Sequence, residues 1–499
     1  MDFVADLHLH SKYSRAVSPN MTIPVMAQVA RQKGINLLTT GDFTHPLWFR
    51  EIRQLLEEKE EGIYGLKDKG LKINDEGKEV KFILTVEIAN IYTQGGKGRR
   101  IHNLVFAPNL ETVEKINKKL IERGCNLSSD GRPIIGLSSK NLLQLILEID
   151  ERCILIPCHI WTPWFGIYGQ MSGFESLSEA FGDMSQYIYG IETGLSSDAE
   201  MNWQIKELEN RSILSFSDAH SPSKMGREAT VFSLESLSYE NIREAIMRPW
   251  LTVENRKLKI GVEDGSLKIE KQIHSQSSVH QPLSSTIDHL SSNKILYTLE
   301  FYPEEGKYHY SGHRNCKISL TPEETKEKGN ICPVCNRKLT DGVMRRVEEL
   351  ASESRVGERK SNEKGLVWIT DPKHIHPPFI KLVPLLEVIA EAIGSPVASP
   401  KTKLIFDNLC EKLGSEMEIL LRVPVGKVRD VGGVGVEKIA EGIQKVREGK
   451  IVIKPGFDGV YGVVKIWNDE RIDELNDSKE PKAPKGEKEI NQNQIGLEF

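Results

Sequence analysis

Three side chains able to bind a metal ion stand at period two in Asp6-Leu7-His8-Leu9-His10, closing the apolar run Phe3-Val4-Ala5. In a β-strand that spacing puts Asp6, His8 and His10 on one face and buries Leu7 and Leu9 behind them. A half-exposed strand with chance histidines has the same local pattern, since imidazole and carboxylate are also ordinary surface groups. Recurrence separates the two readings. Asp42 ends the run from Ile35, Glu87 follows Phe82–Val86, and His159 ends the run from Cys153. Glu192 follows Ile188–Ile191, and Asp218-Ala219-His220 ends the run from Ile213. One acid after a strand is more often a helix cap, but six of the seven predicted strands end in Asp, Glu or His. Such a set suits two or three divalent ions of the zinc, manganese or iron type. A cluster of that kind clamps a phosphate and lowers the pKa of a bound water to about 7, which is phosphoester hydrolysis. The chain carries no G-x-S-x-G, no P-loop and no G-x-G-x-x-G opening a helix after a strand.

A second constellation pairs His313-Arg314-Asn315-Cys316 with Cys332-Pro333-Val334-Cys335 across fifteen residues. Two knuckles of equal spacing place four N/S ligands around one structural zinc. A redox dithiol needs a helix N-terminus after a strand, which Gly329-Asn330-Ile331 does not supply. His309 is an alternative fourth ligand. Arg314, Lys317, Arg337 and Lys338 lie where DNA phosphates could reach them, or are simply solvated. Further on, Gly432, Gly433, Gly435 and Lys438 sit in a Gly-rich turn resembling a helix-hairpin-helix, whose backbone N–H groups face a phosphate. Arg227, a short loop beyond Asp218, is either a bidentate phosphate holder or half of a surface salt bridge. Trp161, Trp164, Phe165 and Tyr168 crowd the loop after His159, as a base-stacking or wedging surface or as the core of a lid.

The elements that must position these groups alternate. Strands are expected over 3–10, 35–42, 81–88, 101–106, 153–159, 187–193 and 212–220. Helical patterns fall at 25–33, 47–60, 110–123, 140–150 and 199–210, which predicts an α/β parallel sheet or a distorted seven-stranded (β/α) barrel. Active groups then collect at the C-terminal strand ends. Stretches 62–80 and 92–100 read as surface loops. Domain boundaries are expected at 1–255 (phosphoesterase barrel), 256–295 (linker) and 296–355 (zinc module). A mainly helical DNA-binding region at 356–467 and a disordered tail at 468–499 follow. At 499 residues, with 39% hydrophobic and 27% charged residues and a net charge of −5, the chain is a multidomain soluble protein without a general basic coat. Seven cysteines without a secretory leader or a membrane-length apolar run suggest a cytoplasmic, reducing setting.

Asp6-x-His8-x-His10, Asp42, Glu87, His102, His159 and Asp218-x-His220 resemble the motifs of the PHP (polymerase and histidinol phosphatase) superfamily over about residues 1–255. Gly41–Pro46, Ile191–Asp198 and Ser217–Pro222 are similar to the endonuclease Q family, and that likeness extends through the cysteine unit into the C-terminal part. The resemblance implies a repair nuclease that nicks DNA on the 5′ side of deaminated bases (uracil, hypoxanthine, xanthine) or abasic sites, with Asp218, Glu87 and Arg227 in catalysis. It implies one ion on His8, His10, Glu87 and Asp218, a second on Glu87, His102 and His159, and a third near Asp42 and His220. Two departures stand out: Phe43 replaces a His common in the superfamily, with His45 as substitute, and His102 is assigned by resemblance alone. With Glu87 and Asp218 filling the first shell, Asp6 is expected to orient a histidine. The C-terminal Gln494, Ile495, Leu497 and Phe499 match the hexapeptide with which bacterial proteins dock on the sliding clamp. The alternatives are a small-molecule phosphatase of the histidinol-phosphate type and a non-catalytic DNA-binding scaffold.

Overall fold

The seam of the molecule is strand Asp2–Asp6, which pairs in parallel with Leu37–Thr39 on one side and antiparallel with Ala229–Ser233 on the other. The computed structural model describes residues 1–67, 79–257, 260–263, 266–269 and 292–468. From the seam a mixed sheet, thirteen-stranded among the described residues, runs both ways. One direction goes from Leu37–Thr39 to Lys81–Gln94 in parallel, then to Lys97–Ala107 and Ile154–Pro157, both antiparallel. The other goes from Ala229–Ser233 to Lys294–Glu300 and on to Phe379–Lys381. Gly190–Glu192 and Ser212–Leu214 form a separate parallel pair.

The expected parallel alternation is therefore only partly present. The stretch 92–100, read as a loop from its Gly, Lys and Arg content, is the tip of a long hairpin that turns only at Gly95 and Gly96. That reversal makes two neighbouring strands antiparallel and extends the strand carrying His102 well upstream of it. The helix expected over 47–60 stops at Leu55, and Leu56–Glu60 pairs instead with Ile63–Leu66. Within the 62–80 stretch expected as a loop, residues 68–78 lie outside the described residues.

Other helices follow their local signals. Ile23–Lys33 begins with a proline in its first turn and ends on Gly34 at φ 83°. Asn109 and Ser138 cap Leu110–Glu122 and Ser139–Ile149 by accepting backbone N–H bonds. The 199–210 helix shortens to Ala199–Trp203, capped by Asp198.

Two apolar cores flank the N-terminal strands, and a third, around Leu385, Val388, Ile389 and Ile443, unites the C-terminal helices. The central sheet crosses the expected 255/296 boundary, because Lys294–Glu300 pairs with Ala229–Ser233. Most of the 256–295 stretch and all of 469–499 lie outside the described residues, including Gln494, Ile495, Leu497 and Phe499. Among the described residues no helix is long and apolar enough to cross a membrane.

Candidate metal centre

Strand 2–6 ends before its histidines, and Leu9 forms a parallel bridge with Ala219 that ties the 7–10 segment to the turn bearing Asp218. Leu7 and Leu9 are buried, as their spacing predicts. Glu87, on the long hairpin, stands between two groups of side chains. On one side His10 Nε2 lies 3.2 Å from Glu87 Oε2 and 3.1 Å from Asp218 Oδ1. His8 Nε2 lies 3.7 Å from each of the same two oxygens. On the other side His102 Nδ1 and His159 Nε2 approach Glu87 Oε1 at 2.5 and 3.1 Å, and each other at 3.3 Å. Donors sharing one ion at about 2.1 Å sit about 3.4 Å apart in a tetrahedral shell, so both groups have the spacing of ligand sets.

The fit is tested by His8. Its Nδ1 lies 2.8 Å from Glu192 Oε1, whereas its Nε2 is buried with no hydrogen-bond partner and faces two carboxylates. A buried nitrogen in that position suits a cation. Charge agrees. Burial works against a charged imidazole, yet Glu192 and Asp218 lift His8 well above its ordinary value. Burial likewise opposes Glu87 and Asp218, but His102 and Arg132 hold Glu87, and His8 and His220 hold Asp218, well below the carboxylate range. His102 is pushed down to about 4, burial being the main cause. Asp42, His159 and Asp218 adopt φ of 47°, 29° and 46°, a left-handed backbone uncommon for such residues.

Asp42 and His220 join neither group. Asp42 Oδ2 accepts from Ser11 N at 2.6 Å and Ser14 Oγ at 2.9 Å, and its Oδ1 lies 3.1 Å from His10 Nδ1. It orients His10. His220 Nδ1 donates to the Asp218 carbonyl at 2.8 Å, and its ring packs 4.8 Å from that of His10. His45 stacks on Tyr13, 4.5 Å between centroids, instead of replacing the missing histidine. Asp6 does not orient a histidine either. Its carboxylate accepts from Ser217 N, Ser217 Oγ and Gly226 N, bracing the turn before Asp218. The orienting role for His8 falls to Glu192, which also accepts from His159 N at 2.9 Å.

Arg132 also reaches the centre, where its Nη1 donates to Glu87 Oε2 at 3.2 Å. No strand end or motif marks it in the sequence. Arg227 donates from Nε to the Ser217 carbonyl at 3.3 Å. Of the aromatics after His159, Trp161 donates to Asn202 Oδ1, Tyr168 donates to Glu207 Oε1, and Phe165 covers the His102 ring. These three are buried, while Trp164 stays exposed.

Away from this centre the ligand atoms of His313, Cys316, Cys332 and Cys335 lie within 4.8 Å of one another, with Cys335 Sγ 3.3 Å from His313 Nδ1. Burial opposes the Cys332 thiolate, but the Cys335 and Val334 backbone N–H groups pull the thiol down to about 6. His309 is buried outside this set, pushed down to about 4 by that burial. Helices Val425–Asp430 and Val436–Arg447 flank the glycine turn, where Gly432, Gly433 and Gly435 have φ of 68°, 107° and 75°. Val434 is 68% exposed at its tip, and Lys438 Nζ lies 4.7 Å over the Trp467 ring.

Residues 384–450 match the family model described as the MJ0043 C-terminal domain. The chain is 28% identical over 306 residues to the uncharacterised protein MJ0043 of Methanocaldococcus jannaschii, covering 61% of this chain but only 31% of that relative. It is 26% identical over 479 residues to the uncharacterised protein YqxK of Bacillus subtilis, covering 92% of this chain and 98% of the other. Among solved structures it is similar to the lesion-specific endonuclease PfuEndoQ of Pyrococcus furiosus. There the identity is 28%, the coverage 96% and 100%, and the TM-score 0.70. It is equally similar to an endonuclease Q bound to a 27-mer duplex with an abasic lesion at the active site. That match is 29% identical, covers 95% and 98%, and has a TM-score of 0.70.

Proposed function

We propose that the chain, a member of the endonuclease Q family, is a metal-dependent DNA lesion endonuclease, cutting the phosphodiester on the 5′ side of a deaminated base or an abasic site. One observation carries this reading. Two ligand groups share Glu87 in a chain that aligns over 95% of its length with an endonuclease Q held on abasic DNA. His8, His10, Glu87 and Asp218 would hold one ion, and Glu87, His102 and His159 a second. Two ions are favoured over three, because Asp42 and His220 fall in neither ligand group and Asp42 Oδ2 already accepts from Ser11 N and Ser14 Oγ. When bound, such ions offset charge building on the phosphate and lower the pKa of a coordinated water to about 7.

The chain's own residues do the rest. Glu192 and Asp42 fix the ring orientations of His8 and His10. Phe165, packed against the His102 ring, and the buried Trp161 and Tyr168 cover the His102 side. Trp164, beside Arg100 at 5.7 Å, is available to a base turned out of the stack. Water attacks phosphorus, the P–O bond on the 5′ side of the lesion breaks, and the leaving oxygen takes up a proton.

The same reading assigns residues 1–255 to a distorted seven-stranded PHP barrel and 296–355 to a module built on a structural zinc at His313, Cys316, Cys332 and Cys335. It assigns 356–467 to DNA contact through the Gly432–Gly435 turn, and the tail to clamp docking. A histidinol-phosphate-type phosphatase would use the ligand groups but neither the cysteine set nor the glycine turn.

Incubation with duplexes bearing one uracil, hypoxanthine, xanthine or abasic site is expected to nick 5′ of the lesion. Asp218→Asn is expected to abolish nicking while DNA binding persists. Hydrolysis of histidinol phosphate without any nicking would overturn the proposal. Loss of clamp capture on deleting residues 494–499, with nicking intact, tests the tail.

A further inference from the structure

We infer that Arg132 holds the scissile phosphate, and that Arg227 is a positioning residue for the turn before Asp218. This rests on the endonuclease reading. The Arg132 side chain is 11% exposed, at the edge of the ligand groups, with Nη1 on Glu87 Oε2. The segment carrying it has no regular structure, yet it is strapped down at successive residues. Asp130 Oδ1 accepts from the backbone N–H groups of both Arg132 and Arg15. Gly131 donates to the Tyr13 carbonyl at 3.1 Å, and the Pro133 carbonyl accepts from Ala89 N at 3.0 Å. A Cβ at Gly131 would overlap Asp42 Oδ2 and Ser14 Oγ, so the loop lies directly against the carboxylate that orients His10. The guanidinium is thus preorganised over the centre by backbone contacts it does not itself make.

Charge then decides what it does. Glu87 is faced by His8, His10, His102, His159 and Arg132. If both ligand groups held divalent cations, the Glu87 charge would already be neutralised, and the Arg132 guanidinium would be surplus positive charge beside it. The short, anchored loop keeps it at the site, where the incoming anion is the phosphodiester. A planar fork of N–H donors matches two non-bridging phosphate oxygens bidentately. Arg227 has a different partner. It donates to the carbonyl of Ser217, whose N–H and hydroxyl are held by Asp6, so it buttresses the turn that aims Asp218.

The test separates phosphate contact from bracing of Glu87. In an Asp218→Asn background, which keeps the substrate intact, a neutral methylphosphonate at the scissile position is expected to weaken binding of abasic duplex about tenfold or more, the scale of a lost charged hydrogen bond. Adding Arg132→Ala should reduce that penalty several-fold, leaving only the share the ligand groups carry when loaded. With Asp218 restored, Arg132→Ala should lower kcat on the order of a hundredfold or more. Arg132→Lys should recover only part of it, and bound metal per chain should not change. Arg132→Gln, checked for a native melting curve, guards against a folding defect. An unchanged methylphosphonate penalty, or loss of metal from the Arg132 variants, would refute the assignment. Failure of the wild-type protein to nick any lesion duplex would instead refute the endonuclease reading itself.

Discussion

Replacing Glu192 by Gln conserves volume and removes one charge from a fully buried position. The carboxylate uses both oxygens: Oε1 receives His8 Nδ1 at 2.8 Å and Oε2 receives His159 N at 2.9 Å. An amide offers one acceptor and one donor, so one of these two N–H groups must then face another N–H. A hydrogen bond to a charged acceptor is worth about 1.5–3 kcal/mol. Independently, losing the carboxylate that orients a metal-binding histidine costs about 10–100-fold in metal affinity, or about 1.4–2.7 kcal/mol. The two ranges overlap, so the metal concentration giving half-maximal nicking should rise about 10–100-fold. Saturating metal should restore the rate to within a few-fold, because Glu192 touches neither phosphate nor water in this scheme. Nicking of abasic duplex against metal concentration, with calorimetric metal titration alongside, reads both quantities. An unchanged half-saturation point, or a rate that no metal concentration restores, would refute the reasoning.

Burial raises Glu300 from 4.5 to about 7, opposed only in part by bonds from Ser215 and Thr298. A carboxyl raised in the folded state makes the fold bind more protons than the unfolded chain. Thermal stability should therefore fall as pH rises from about 4.5 to about 7, and Glu300→Gln should flatten that dependence; a wild-type melting temperature rising through this window in the Gln-corrected difference would contradict it. Cys332→Ser should release one zinc equivalent per chain, measured with a chromogenic chelator, and lower the melting temperature by several degrees; full zinc content in the variant would remove the structural site. Gly433→Ala forces a side chain into φ 107°. The strain, about 1–3 kcal/mol, should weaken binding to undamaged duplex several-fold, and unaltered affinity would take this turn out of the DNA interface.

Much of the centre is legible in the sequence, because a strand end is local. Apolar runs closed by His8-Leu9-His10, Glu87, His159 and Asp218-Ala219-His220 are visible in one dimension, and all of these except His220 enter the two ligand groups. The cysteine pairs were equally legible, since knuckle spacing is itself the geometry. Helix limits at Pro24, Gly34, Asn109 and Ser138 follow from capping chemistry that acts within a few residues.

What only the tertiary structure decided depends on which distant groups meet. Asp6, Asp42 and Glu192 are all acids after or within strands and look alike in sequence. Their neighbours across 32 to 220 positions make one a brace for Ser217, one the partner of His10 and one the partner of His8. Arg132 lies on a loop whose own sequence has no ligand-like signal, and it reaches Glu87 only because Tyr13, Ala89 and Asp130 pin that loop. Strand direction was also non-local. The pattern of residues 81–107 is the same for a parallel and an antiparallel neighbour, and the tight reversal at Gly95 and Gly96 settled it. Ligand identity is thus written along the chain, while the division between ligand, orienter and phosphate holder is set by the packing that brings each carboxylate its partner.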